Sequence, residues 1–63
     1  MWTAVHIVEG EELAKELKDK LIKEGFLIKI KPFSKEGDTI IYKIMAPEFE
    51  ANEVHSAIID LRY

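Results

Sequence analysis

FLIKIKPFSKEGDTIIYKIMA, residues 26–46, reads as a long β-hairpin: two alternating runs around a glycine-containing turn. In the first run Phe26, Ile28 and Ile30 share one face, and Leu27, Lys29 and Lys31 share the other. Pro32 removes a backbone donor, so it should close that strand or lie on its solvent-facing edge. The turn falls between Ser34 and Asp38, where Gly37 is suited to a positive φ. In the second run Ile40, Tyr42, Ile44 and Ala46 are expected to face the core, with Thr39, Ile41, Lys43 and Met45 outside. The opposite parity would bury Lys43.

Upstream, Thr3–Val8 (TAVHIV) is β-branched and apolar, the signature of a first strand. Strict alternation puts Thr3, Val5 and Ile7 on one face and Trp2, Ala4, His6 and Val8 on the other, until Glu9 and Gly10 break the pattern. The spacing of Leu13, Ala14, Leu17 and Leu21 predicts a helix over residues 11–24. Its acids lead its lysines by four residues at Glu11–Lys15, Glu16–Lys20 and Asp19–Lys23, the favourable order on a helix surface. Gly25 and Phe26 fit a Schellman ending. Downstream, Pro47 marks an exit into a second helix over residues 49–61, with Ala51, Val54, Ala57, Ile58 and Leu61 as its buried stripe and Ile59 and Tyr63 nearly opposite. The order β-α-β-β-α predicts an α+β domain with both helices on one face of a three-stranded sheet of order 1-3-2. This is a truncated ferredoxin-like arrangement, βαββαβ without its final strand.

Sixty-three residues make a single domain, 1–63, close to the lower size at which a chain folds without disulfides or metal. A composition 48% hydrophobic and 33% charged is that of a folded domain, not a disordered one. There is no cysteine, which excludes thiol chemistry and Cys-based metal sites and fits a reducing compartment. The first residues lack a basic n-region, and no apolar run approaches the ~20 residues of a membrane span, so a soluble, cytoplasmic protein is expected. The net charge of −3 argues against nucleic acid as a partner. Residues 26–46, with four lysines against two acids, are the only net-positive segment.

The opening strand AVHIVEG, the helix ELAKELKDKLIKEGF with its Glu24-Gly25-Phe26 ending, and the Ala46-Pro47-Glu48 exit into a helix holding Glu53-Val54 and Ala57-Ile58-Ile59 carry a resemblance over nearly the whole chain. They resemble a family of small bacterial domains described as prokaryotic signal-transducing proteins, similar in fold to the PII nitrogen-signalling proteins. The resemblance implies the fold and a regulatory role. The long effector-binding loop of PII proteins has no counterpart, since only a short turn around Gly37 stands in that position, so nucleotide binding is not implied.

No residue pattern supports catalysis, and no cofactor is expected. Gly10, Gly25 and Gly37 are isolated, so there is no phosphate-binding loop. Ser34 and Ser56 have no evident base partner, and so small a monomer has little room to enclose a pocket. His6 and His55 are expected to be partly exposed histidines that do not converge. Glu48, Glu50 and Glu53 read as helix N-terminal charge and too few ligands for an oxygen cage.

The open sheet face is the candidate site: Trp2, Ala4, His6, Leu27, Lys29, Lys31, Ile41, Lys43 and Met45, with Phe33 near its end. Apolar surface rimmed by charge marks an interaction site, and the first strand leaves a bare edge. Both features predict a homo-oligomer, a dimer first, or docking to another protein. The alternative is a small-ligand sensor whose pocket forms at an oligomer interface. Aromatics among lysines on such a sheet also suit RNA bases, but the RNP pattern is missing and the aromatics are sparse.

Overall fold

The middle strand of the sheet is the last one in the chain, and both of its neighbours run against it. The computed structural model describes residues 1–63. Its elements are β1 (Trp2–Glu9), α1 (Glu11–Lys23), β2 (Lys29–Glu36), β3 (Thr39–Pro47), a 3₁₀ turn (Glu48–Glu50) and α2 (Ala51–Asp60). The sheet order is β1-β3-β2, both pairings antiparallel. This is the expected α+β fold, a truncated ferredoxin-like arrangement.

Both helices lie on one face, where Leu17 and Leu21 of α1, Val54 and Ile58 of α2, and Ile44 of β3 are the large, fully buried side chains. Ala14, Ala46, Val8, Ile28 and Tyr42 complete the core. The molecule is a slab of 33 × 23 × 15 Å, one sheet and one layer of helices. Leu13, expected on the buried stripe of α1, lies at its exposed margin.

Two helix endings fix the layer. At the end of α1, Gly25 (φ 97°) donates to the Ile22 carbonyl at 2.9 Å and Phe26 to the Leu21 carbonyl at 3.2 Å, the paired bonds of a Schellman motif. The end of α2 repeats them, with Arg62 donating to Ile59 at 3.0 Å and Tyr63 to Ile58 at 3.2 Å. There Arg62 takes the left-handed conformation at φ 65°. That turn swings Tyr63 back against the core, so it does not fall opposite the buried stripe as helical spacing predicts. Its hydroxyl accepts from Lys20 Nζ at 2.9 Å, and this bond is the first cause of the raised Lys20 pKa.

The second strand is displaced from its expected span. Phe26 has its N–H committed to the Schellman bond, and the Leu27 N–H donates to Glu50 Oε1 at 3.0 Å, so pairing with β3 begins only at Lys29. The strand then runs through Pro32 as far as Glu36. Gly37 (φ 60°) and Asp38, with ordinary φ, make a two-residue turn with the sign pattern of type II′. Every residue from Lys31 to Ile40 is exposed, because α1 starts beside Tyr42 and runs away from the hairpin tip. Ile40 therefore sits past the helix layer, outside the core it was expected to join.

The larger correction lies in β1. Its register shifts between Ala4 and His6, leaving Val5 as an extra residue opposite β3. Beyond this bulge the parity inverts. His6 pairs with buried Ile44 and Val8 with buried Tyr42, so both lie on the helix side, while Ile7 pairs with Lys43 on the open side.

Candidate functional site

The open face is built from alternate residues of three strands. Across the sheet, Lys29, Met45 and Ala4 are in register, then Lys31, Lys43 and Ile7, then Ser34, Ile41 and Glu9. Trp2 lies beside Pro47 at one end of the face. Of the expected face residues, Trp2, Ala4, Lys29, Lys31, Ile41, Lys43 and Met45 are brought together. His6 is not, because the bulge turns it to the helix side. Leu27 precedes β2 and is tied to Glu50 rather than to the sheet. Three further residues of these rows belong to the face: Ile7 and Glu9, displaced from strict alternation by the bulge in β1, and Ser34, displaced by the register shift between Pro32 and Ser34 in β2.

The exposed aromatics of this face are capped. Lys29 Nζ stands 4.2 Å from the centroid of Trp2, and Lys43 Nζ stands 4.8 Å from that of Phe33. Phe33 is the extra residue of a second bulge, between Pro32 and Ser34 of β2, which lets its ring reach over the face. Each ammonium gains the ring quadrupole while its methylene stem covers apolar surface. The rings are thus occupied from within the chain, and a stacked base would have to displace a lysine. A depression of about 330 Å3 opens beside Trp2, lined also by Lys29, Ile30, Lys31 and Met45.

The backbone phase of each edge follows from the hydrogen-bond alternation of an antiparallel ladder. On β1, the Gly10 N–H donates to the Ile40 carbonyl at 2.8 Å, and the Met1 carbonyl accepts from Glu48 at 2.7 Å. Counting inward from both ends, Thr3, His6 and Val8 turn their peptide groups to β3. Trp2, Ala4, Ile7 and Glu9 therefore turn theirs outward. On β2 the same alternation directs Ile30, Pro32 and Lys35 outward, because Lys29, Lys31, Ser34 and Glu36 pair with the outward-phased residues of β3. The donor that Pro32 lacks is thus missing from the free edge and not from the ladder.

The two edges differ in kind. The edge of β2 carries a proline, a bulge and Lys35, three devices that block strand addition. The edge of β1 has eight residues, no proline and no lysine, and is interrupted only by the bulge at Val5. In a complete ferredoxin-like arrangement this is the edge that a fourth strand covers.

His55 is exposed on α2 and His6 is half-buried under the helix layer. No group of three or more His, Asp or Glu side chains is placed to hold a metal ion. Glu48 is exposed, and Glu50 caps the backbone of Leu27. No helix is long and apolar enough to cross a membrane. Compared with family models, with curated proteins and with solved structures, the chain matches none.

Proposed function

We propose that this protein is a non-enzymatic interaction module that associates with a second copy of itself through the outer edge of β1, in the regulatory role that its resemblance to small signal-transducing domains implies. The observation that carries this reading is the unprotected edge: four outward-facing peptide groups on β1, against an edge of β2 blocked by Pro32 and Phe33. An open edge binds another strand by main-chain hydrogen bonds, the general basis of strand addition. Packing two open faces together is the poorer arrangement. It would bring Lys29, Lys31 and Lys43 of each copy against the same lysines of the other, with only Glu9 and Glu36 to answer them.

Ala4→Pro tests the edge. The Ala4 N–H points away from β3, so proline there removes a donor from the free edge and leaves the internal ladder whole. Sedimentation velocity should show the parent chain shifting from monomer to dimer as concentration rises, and Ala4→Pro remaining monomeric with unchanged far-ultraviolet dichroism. A parent chain monomeric throughout, or a variant that still dimerises, rejects the edge.

A second reading rests on the depression beside Trp2. Lys29 and Lys31 at an apolar wall of Trp2 and Met45 suit a small anion with an apolar body, which is the sensor alternative. A thermal-shift screen of nucleotides and amino acids tests it, because a bound ligand raises the melting temperature by mass action. A flat response across the screen removes that reading.

A further inference from the structure

The outward-facing residues of β1 are spaced so that the strand is complementary to itself. They fall at positions 2, 4, 7 and 9, two on each side of the bulge. In an antiparallel pair, opposed residues have position numbers of constant sum, and only residues that both turn outward can exchange bonds. Trp2 opposite Glu9 and Ala4 opposite Ile7 satisfy this for every outward residue. Sliding the partner by two residues keeps only Ala4 with Glu9, or Trp2 with Ile7, as outward pairs, and sets Ile7 against inward-turned His6, or Ala4 against the bulged Val5. The bulge does not spoil the match, because the Val5–His6 step of one strand meets the same step of the other and the residue counts stay equal.

Resting on the edge reading above, we infer that two copies pair β1 to β1 antiparallel in this one register, about a twofold axis passing between Val5 and His6. The product is a continuous six-stranded sheet of order 2-3-1-1-3-2. The axis is perpendicular to the sheet, so all four helices lie on one side and both open faces on the other. An interface of this kind is isologous, the same patch serving both partners.

The side chains along the seam fit the register. Small Ala4 sits beside the partner subunit's Ile7, which accommodates the larger chain and covers a residue that is 51% exposed in the single copy. Trp2 sits beside the partner subunit's Glu9, so a carboxylate joins the end of the face where Lys29 stands over the indole ring. No two like charges are opposed across the seam: Glu9 is the only charged residue among the four outward positions. The bulge keeps the pairing finite as well, since it bends β1 and limits each edge to one partner of matching curvature.

Cysteine cross-linking reads the register, and the absence of native cysteine gives it a clean background. Chains carrying Ala4→Cys and chains carrying Ile7→Cys are oxidised separately and after mixing. In the inferred register, positions 4 and 7 of opposite subunits have Cα atoms about 5.5 Å apart, within disulfide reach, whereas identical positions are offset by about 7 Å along the strand as well as by the strand spacing, about 8 Å in all and beyond reach, because the bulge compresses positions 4 to 7 into two strand steps. The expected result is covalent dimer in the mixture and essentially none in either chain alone. Dimer from the mixture of Ala4→Cys with Glu9→Cys instead places the strands in another register and overturns this inference while leaving the edge dimer standing. No cross-link in any mixture, from chains whose dichroism shows them folded, overturns the register and the edge together. Amide exchange on the unmodified chain is the check independent of substitution: Ala4 and Ile7 amides must slow together as dimer forms.

Discussion

Replacing Val8 and Ile7 by alanine, each in turn, measures the bulge in β1 directly. Strict alternation buries Ile7 and exposes Val8; the bulge at Val5 does the reverse. Val8 is 7% exposed and packs in the core opposite Tyr42. Val8→Ala removes two buried carbons, worth about 1.6 kcal/mol at ~0.8 per buried methylene. The cavity left under the helices raises the loss to roughly 2–2.5 kcal/mol. Ile7 is 51% exposed beside Lys43 on the open face. Ile7→Ala removes three carbons that are only half withdrawn from water, about 1.2 kcal/mol at most, and leaves no enclosed cavity. The difference of about 1 kcal/mol corresponds to a melting shift of roughly 4–8 °C in a chain of this size. Against a total stability on the order of 3–9 kcal/mol it is readily measured. Urea unfolding followed by far-ultraviolet dichroism, at a concentration where sedimentation shows only monomer, should show Val8→Ala as the weaker protein. Ile7→Ala matching or exceeding the loss at Val8 would refute the bulged register and return His6 and Val8 to the open face.

Two further predictions concern backbone strain and the lysine caps. Arg62→Gly should stabilise the chain by about 0.5–1 kcal/mol in thermal unfolding, since glycine adopts the left-handed cap at φ 65° without the cost a side chain carries. Gly25→Ala should cost about 1–2 kcal/mol for the converse reason, although a Cβ there meets nothing within 4 Å; a neutral result at either position contradicts the cap assignments. A double-mutant cycle between Trp2→Ala and Lys29→Ala should return a coupling of about 0.5–1 kcal/mol, the range of an exposed cation–π pair, and zero coupling would mean the ammonium does not rest on the ring.

The parts of the fold legible in the sequence are those governed by local periodicity. Ala14, Leu17 and Leu21 repeat at helical spacing, and Tyr42, Ile44 and Ala46 alternate without interruption, so the core side of α1 and β3 could be read directly. Gly25-Phe26 announced its cap because that chemistry is local. What escaped was set by tertiary pairing. The bulge at Val5 leaves no mark in a run as uniformly β-friendly as TAVHIV, where either parity places an apolar residue inward. Strict alternation therefore puts His6 on the open face and Ile7 in the core, the reverse of their places in the sheet. Alternation starts the second strand at Phe26, whereas β2 starts at Lys29, because the Leu27 N–H is taken by Glu50, 23 residues away. The caps on Trp2 and Phe33 were hidden for the same reason: each lysine reaches its ring from another strand. Of the two places the sequence allows Pro32, the end of the strand or its solvent-facing edge, it takes the edge, with β2 continuing to Glu36, and this separates the two edges of the sheet.

Amide hydrogen exchange of the parent chain, followed residue by residue across a dilution series, tests edge pairing through β1 most directly. Thr3, His6 and Val8 donate within the ladder and should be protected at every concentration. Trp2, Ala4, Ile7 and Glu9 should exchange freely in dilute solution and slow together as concentration rises, while Pro32's neighbours on the β2 edge, Ile30 and Lys35, stay fast. Outward amides of β1 that exchange at one rate from dilute to concentrated solution, or protection that grows on β2 instead, would contradict it.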